Sequence, residues 1–369
     1  MKIYRVGGAV RDELLGREVQ DRDYVVVGAT PEQMIELGYE PVGKDFPVFL
    51  HPRTHEEHAL ARTERKSGRG YKGFSVHASP DVTLEEDLAR RDLTINAMAR
   101  GEAGELIDPY GGRRDLAAGV LRHVSPAFVE DPVRILRVAR FAARFGFTVA
   151  EETLVLMRHM VDTGEADHLV PERVWQEISR GLLEDRPSVM FEILAECGAL
   201  ARIAASWSAL LDPRRERGRE ILNLLDLAAD QRGPLTVRFA LAAHPLGPAL
   251  PALCASLRVP NDCSELAGLC TRHLASARLA DRLDAESIVS LLYGADAFRR
   301  PGRFFEMVWV AAVEDGKKPA SFPPDAALRR ALTLAQTVDA QSVARRHGGQ
   351  DIAEHLRRAR VDAVKAGTR

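Results

Sequence analysis

Short apolar runs broken by Gly, Pro and Asp fill the first third of the chain, and an apolar period near 3.6 residues fills the rest. The runs predict strands at Ile3–Val6, Tyr24–Val27, Val48–His51, His58–Arg62 and Leu106–Ile107, with helices at Ala9–Leu15, Pro31–Leu37 and Leu84–Ala99 between them. Pro52-Arg53-Thr54-His55 reads as a hairpin turn. This is an α+β pattern, a small mixed sheet packed against helices. After Asp131-Pro132 the helical period takes over, in Pro132–Phe145, Ala150–Thr163, Pro171–Leu183, Pro187–Cys197 and Arg217–Ala229. Several of these segments open on a proline, whose missing N–H is not needed in the first turn. From about residue 124 onward the chain is expected to be all-α. No repeat of fixed period is present, and the Pro- and Gly-bearing stretches at 212–218 and 245–251 are candidate internal boundaries.

Composition narrows this picture in three respects. A chain of 369 residues is too long for one ordinary core, so two or more domains are expected. A net charge of −2 does not advertise nucleic-acid binding, so any RNA surface must be local. Cys197, Cys254, Cys263 and Cys270 have no CxxC or Cys/His ligand spacing and read as reduced, packed thiols of a cytoplasmic protein. The opening MKIYRVGG has no apolar signal core, and no run of 18 apolar residues occurs, so neither a signal peptide nor a membrane span is expected.

The chemistry is concentrated in four motifs. Gly7-Gly8-Ala9-Val10-Arg11-Asp12 puts two glycines at the start of a helical run, where exposed backbone N–H groups can hold phosphate. Asp21 and Asp23 follow at the mouth of an apolar strand, spaced to face one side of a sheet and hold Mg²⁺ against a triphosphate. Carboxylates in a solvated loop are the plainer reading of a DxD alone, but Arg11 beside it can neutralise phosphate charge. In Arg90-Arg91-Asp92-Leu93-Thr94-Ile95-Asn96, two arginines read as the start of a helix, where they oppose the macrodipole and call for an anion. Asn96 is a candidate for a sugar or base contact.

The third motif is Glu130-Asp131-Pro132-Val133-Arg134, continued by Arg137 and Arg140. Arginines every three residues span roughly 120° of a helix. They require anionic partners, which are either ion pairs with Glu130, Asp131 and neighbours or a ligand. Asp131 with Arg134 offers an acceptor beside planar donors, which suits the edge of a base. The fourth motif, Glu64 to Phe74, carries three glycines and four cations and reads as a basic loop or active-site lid.

These motifs, with Ile107-Asp108-Pro109-Tyr110-Gly111-Gly112-Arg113-Arg114-Asp115-Leu116 and the run from Glu130 to Phe147, resemble the class II tRNA nucleotidyltransferases, the CCA-adding enzymes of bacteria. The resemblance is dense over residues 1–200 and thins beyond. It implies a polymerase-β-like nucleotidyltransferase head at 1–123, a helical neck at 124–185 with a nucleotide-selecting helix, and a helical, tRNA-binding body and tail at 186–369. It implies Mg²⁺ held by Asp21 and Asp23, triphosphate contacts from Gly8 and Arg11, and a nucleotide contact from Arg91. Base selection without a template falls to Asp131 and Arg134, with Arg137 and Arg140 as further nucleotide contacts. The Lys66–Gly73 region corresponds to the loop linked to the switch from C to A addition. The implied reaction is two-metal nucleotidyl transfer from CTP and ATP to tRNA, releasing pyrophosphate. A third carboxylate, Glu57 or Glu64, is a candidate helper.

Some relatives also carry a metal-dependent HD phosphohydrolase region. Here Ala243-His244-Pro245-Leu246-Gly247 looks like its remnant, with Pro245 where Asp would stand and Glu220 where an earlier His is expected. His273 and His159 do not restore a ligand set, so phosphohydrolase activity is expected to be absent. The segment 345–369 holds seven Lys/Arg against three acids and is either a solvated helix end or a tRNA backbone contact. A poly(A) polymerase shares the head motifs, but such enzymes carry a basic-aromatic stretch where this chain reads HPRTHEEHALARTERK. A C-only or A-only enzyme and a non-catalytic tRNA-binding protein are the remaining alternatives.

Overall fold

The computed structural model describes residues 1–19, 21–42, 47–66, 74–346 and 351–367. The chain forms two compact units, Met1–Gly181 with Val189–Ile203, and Leu182–Ser188 with Ala204–Arg369. The first opens with β1 (Lys2–Val6), α1 (Gly8–Leu14), β2 (Asp23–Val27), α2 (Pro31–Glu36), β3 (Glu40–Val42), β4 (Val48–Leu50) and β5 (Glu57–Leu60). It continues with β6 (Arg62–Lys66), β7 (Phe74–Ala78), α3 (Leu84–Ala89), β8 (Ala99–Arg100), β9 (Leu106–Ile107), α4 (Gly112–Ala118) and β10 (Val120–Leu121). Then follow α5 (Val133–Phe145), β11 (Thr148–Val149), α6 (Glu151–Asp162), α7 (Pro171–Leu183), α8 (Pro187–Glu196) and α9 (Ala199–Ile203).

The predicted strands assemble into a mixed seven-stranded sheet ordered β3-β4-β5-β2-β1-β8-β9, with β2 and β5 parallel and the other neighbours antiparallel. Alternation along β2 sends Val25 into a cluster with Val6, Leu84, Leu88 and Ala99, and Val26 into another with Met34, Tyr39, Phe49 and Leu60. Both faces of the central strand are therefore covered, and its N-terminal end is left to present chemistry. Pairing of Val6 with Asp23 sets the glycine turn after β1 beside the start of β2.

Three expectations are corrected. The helix predicted over Leu84–Ala99 stops at Ala89, and Thr94–Asn96 forms a separate 3-10 turn. Asp92 accepts its neighbour Leu93's N–H at 2.9 Å, and Leu93 is extended, so the helical ladder is not continued. Arg90 and Arg91 thus lie at a helix C-terminal end, where the macrodipole favours cations; the dipole argument for an anion fails, and only their burial and partners can support one. Second, the chain beyond residue 124 is not purely helical. Gly146 caps α5 in the left-handed conformation and turns the chain back, so that β11 pairs with β10. Third, β3, β8 and β10 are strands of two or three residues, too short to leave an alternating pattern. The basic stretch is flanked by paired strands, Arg62 with Ala78 to Lys66 with Phe74, and its residues 67–73 lie outside the described residues.

The second unit is helical: α10 (Ala205–Leu210), α11 (Glu216–Asp230), α12 (Leu235–Ala243), α13 (Leu250–Leu257), α14 (Asn261–Arg278), α15 (Ala285–Gly294), α16 (Pro301–Glu314), α17 (Pro323–Gln336), α18 (Ala340–Arg346) and α19 (Ile352–Gly367). Its core includes Trp207, Phe239, Leu266, Cys270 and Met307, with the Trp207 Nε1–H donating to the Ala242 carbonyl at 2.7 Å. The stretch Leu235–Leu257 has a mean hydropathy of 1.3, high enough for a membrane span by composition. Its first half is core, with Val237 and Phe239–Ala243 buried, and the helix breaks at Gly247 (φ 54°, ψ −119°). Burial pushes the thiols of Cys197 and Cys263 up to about 11 and about 12, so these packed cysteines are unreactive.

The remnant predicted around His244 has another use. His244 Nε2 meets Glu314 Oε1 at 2.8 Å, and Arg278 bridges Glu314 and Asp315. Among the described residues no three His, Cys, Asp or Glu are grouped so as to hold a metal. In the C-terminal helix Arg360 is committed internally, stacked 3.9 Å from the Phe298 ring centroid and donating to Tyr293 Oη at 2.7 Å.

Candidate active site

Asp21, Asp23, Gly8, Arg11, Arg91, Asp131, Arg134, Arg137 and Arg140 line one cavity of about 550 Å³ in the first unit. Nine arginines and six carboxylates surround it, a positive balance suited to a polyanion. The sheet end supplies the carboxylates, α1 the glycine turn and Arg11, the segment after α3 Arg91 and Asp92, and α5 the remaining arginines.

Gly7 holds a conformation that L side chains rarely adopt (φ +69°, ψ −130°), and its N–H donates to the Met98 carbonyl at 3.2 Å. A Cβ there would stand 2.6 Å from Arg91 Nη1. Gly7→Ala is therefore expected to cost about 1–3 kcal/mol in urea unfolding and to raise the KM for nucleotides by displacing Arg91. An unchanged midpoint with unchanged KM would show that the turn tolerates a side chain.

Arg11 is held on two edges and a face. Its Nε donates to Asp12 Oδ1 at 2.8 Å, its Nη1 to Asn96 Oδ1 at 2.6 Å, and it lies over the Phe141 and Phe145 rings at 5.2 and 4.9 Å. Asn96 is buried and passes its Nδ2–H to Asp92 at 2.9 Å. Asn96, expected as a sugar or base contact, is thus a link between Arg11 and Asp92.

Asp92 is the hub of the pocket floor. It accepts from Asn96, from its neighbour's N–H, and from Arg137 Nε at 2.7 Å. Burial pushes its carboxyl up, but Arg137, Asn96 and Arg134 outweigh burial and hold it well below the usual carboxylate range. Arg91 is desolvated, pairs with Asp87 at 3.5 Å, and keeps a buried Nε without a hydrogen-bond partner among the described residues. A guanidinium does not shed its proton at such a site, so an anionic ligand relieves its desolvation.

The helix α5 is buried almost all round, Arg134 and Arg140 included, rather than on one face as its period suggested. Its arginines find partners from other elements. Arg134 donates to the carbonyls of Ala127 at 2.9 Å and Arg90 at 2.6 Å, Arg137 pairs with Asp92, and Arg140 with Glu177 at 2.6 Å. Asp131 accepts two parallel bonds from Arg173 at 3.1 and 2.8 Å and also takes the Val133 N–H at 3.1 Å. Arg173 and Glu177 escaped the sequence reading because their i, i+4 spacing on α7 looks like a pair of their own. The lone signal for them was the run Glu172-Arg173-Val174-Trp175-Gln176-Glu177, polar residues set in an apolar period.

Asp23 and Asp21 are hard oxygen donors. Desolvation pushes the Asp23 carboxyl up, Arg91 opposes this, and Asp21 adds to it. Two carboxylates with no third His, Cys, Asp or Glu grouped beside them suit Mg²⁺, which keeps waters and takes substrate phosphate oxygens. A carboxyl whose folded value is raised costs stability above that value and nothing below its unfolded value. Asp23→Asn is therefore expected to raise the Tm of EDTA-treated protein at neutral pH, a gain that solvent screening at this exposed side chain keeps small and that fades as pH falls through the carboxylate range. Calorimetry with and without a divalent cation checks this; a fall in Tm at neutral pH would contradict it. Glu57 joins Asp21 and Asp23 around a second cavity of about 750 Å³.

Residues 3–122 match the family model described as the Poly A polymerase head domain, and residues 146–209 match that described as the probable RNA and SrmB-binding site of polymerase A. The chain is 52% identical to the Multifunctional CCA protein of Methylobacillus flagellatus, covering 100% of this chain and 98% of the relative. It is 53% identical to the protein of the same name from Nitrosomonas europaea, covering 93% and 91%. Among solved structures, the Bacillus stearothermophilus CCA-adding enzyme in complex with CTP superposes with a TM-score of 0.71 at 26% identity, covering 99% of this chain and 89% of that one. With such identity over its whole length and a catalytic head in common, the chain belongs to the bacterial, class II CCA-adding tRNA nucleotidyltransferases.

Proposed function

We propose that Asp21, Asp23, Gly8, Arg11, Arg91, Asp131, Arg134, Arg137 and Arg140 are the residues by which this chain adds CCA to the 3′ ends of tRNA from CTP and ATP, releasing pyrophosphate. The observation that carries the assignment is their convergence on one cavity. Residues 1–123 act as head, 124–185 as neck, and 186–369 as the body and tail that hold the tRNA.

Asp21 and Asp23 would hold Mg²⁺, and the chemistry a metal bound there would supply is a lowered pKa of the tRNA 3′-hydroxyl and stabilisation of the leaving pyrophosphate. The backbone N–H groups of the Gly7–Gly8 turn and the Arg11 guanidinium receive the triphosphate. Arg91, packed against Gly7, contacts the nucleotide beside them. The second cavity, open to the same carboxylates and to Glu57, supplies the side from which the RNA end arrives. Cytosine and adenine both present an amino donor next to a ring-nitrogen acceptor, whereas uracil and guanine present the reverse. One carboxylate and one guanidinium therefore accept C and A and reject U and G. Arg137 and Arg140 extend this donor surface along α5. Such a reaction places the protein in the cytoplasm with its tRNA, CTP and ATP.

A phosphohydrolase is not part of this reading. Pro245 has no ligand atom, and His244 is taken by Glu314. Pro245→Asp alone is not expected to create such activity.

The test is a gel assay with Mg²⁺ and tRNA transcripts ending before CCA, after C and after CC, each with CTP, ATP or both. Two C and one A followed by arrest support the reading. Addition of C alone or A alone makes the chain one half of a pair of enzymes, a growing A-tail makes it a poly(A) polymerase, and no incorporation makes it a tRNA-binding protein.

A further inference from the structure

Beside the nucleotide cavity, guanidinium groups crowd over two aromatic rings of α5. Arg11, Arg137 and Arg140 stand over the Phe141 ring at 5.2, 5.4 and 4.5 Å, and Arg11, Arg17 and Arg144 over the Phe145 ring at 4.9, 5.0 and 5.2 Å. The two rings stack at 5.8 Å with planes 9° apart, one helical turn from each other on α5. An aromatic face carries negative charge and attracts a cation placed within about 6 Å. Phe141 is buried, yet it borders the cavity.

We propose that Phe141 is a positioning residue for nucleotide binding: its ring face seats Arg11 from the head and Arg137 and Arg140 from α5, fixing three phosphate- and base-side donors in one frame. The hydrogen bonds of these arginines run along their edges, and the ring adds a contact on their faces. Arg11 has Asp12 and Asn96 along its edges, Arg137 has Asp92, and Arg140 has Glu177. Edge bonds leave a planar guanidinium free to rock about them, and the ring removes that freedom. It does so without a carboxylate, whose charge would compete with the triphosphate for the same donors. Aliphatic packing of equal volume would fill the space and lack the attraction.

This inference rests on the site assignment above, so its test reads binding directly. CTP and ATP affinities are measured by calorimetry, without tRNA, for wild type, for Phe141→Leu, and for protein with mono-, di- and trifluorinated phenylalanine at 141. Fluorination empties the ring face stepwise at nearly constant shape. The expected result is a progressive loss, reaching several-fold to tenfold at three fluorines and similar in Phe141→Leu, with the Tm of the fluorinated proteins unchanged. Affinities independent of fluorine number would overturn the proposal and leave Phe141 as packing, even if Phe141→Leu is weakened. Wild-type protein that binds neither nucleotide would instead overturn the site assignment on which it rests.

Discussion

Alanine at Asp21 or Asp23 is expected to abolish nucleotide addition, by at least about a thousandfold or about 4 kcal/mol of transition-state stabilisation, in a protein that stays folded and still binds tRNA. The size follows from the geometry. Among the described residues no third carboxylate, His or Cys is grouped with the pair to hold a metal in its place. Each aspartate also lines both cavities, so under the proposed assignment losing one would remove a metal ligand from the nucleotide side and the RNA side at once. Folding is spared because the pair stands at the exposed end of β2, whose register is set by Val25 and Val26 in the two cores. The buried Arg11 and Asp92 of the site have partners elsewhere, and Arg91 keeps Asp87. Single-turnover addition to a tRNA lacking CCA, with a filter-binding assay in parallel, gives the result. Activity within tenfold of wild type would remove the two residues from the metal site. Loss of tRNA binding in a folded variant would mean that the metals also organise the RNA surface.

How much of this could be read beforehand depended on whether a residue acts through local pattern or through distant partners. The alternation around Tyr24–Val27 and the glycine pair before α1 are local, and both the strand and the turn appear where the pattern put them. The motif residues also meet in one cavity, because the β1–β2 register leaves the glycine turn and Asp23 no other place. What the pattern could not show is who pairs with whom. Arg137 and Arg140 were expected to meet a nucleotide or acids next in sequence, and the pattern gave no hint that they also pair at a distance, with Asp92 45 residues before and Glu177 37 after. Asn96 looked free to meet a sugar, and is spent joining two charged groups. The helix drawn through Arg90 and Arg91 failed for a related reason. Its period continues smoothly, but one side-chain acceptor, Asp92, diverts the backbone. An arginine at a helix end thus carried opposite meanings depending on a break that periodicity does not record.

Asp131→Asn tests the selecting pair most cleanly, because it alters the acceptor and little else. The Oδ1 of asparagine accepts a local backbone N–H as that of aspartate does, so the bond from the Val133 N–H survives. The Arg173 pair it weakens is partly exposed, with side chains 28% and 22% accessible, so its loss costs no more than about 1 kcal/mol. Arg134→Ala is less suitable, since it strips hydrogen bonds from the carbonyls of Ala127 and Arg90 and confounds selection with folding. In Asp131→Asn an amide that offers both a donor and an acceptor replaces an acceptor-only carboxylate. The amino groups of cytosine and adenine lose their committed partner, while the carbonyl oxygens of uracil and guanine gain one. We expect kcat/KM for CTP and ATP to fall by about 10–200-fold, the equivalent of 1–3 kcal/mol for a base-edge contact, and the preference over UTP and GTP to shrink by at least as much. Because one pair reads both correct bases, the loss should be of similar size on tRNA ending before CCA and on tRNA ending in CC. Equal losses on both ends would leave the order of C before A to be imposed by another part of the chain. Single-nucleotide incorporation with each of the four triphosphates on each tRNA end settles the point. A variant that loses A addition alone would separate the two bases and place their readers on different residues.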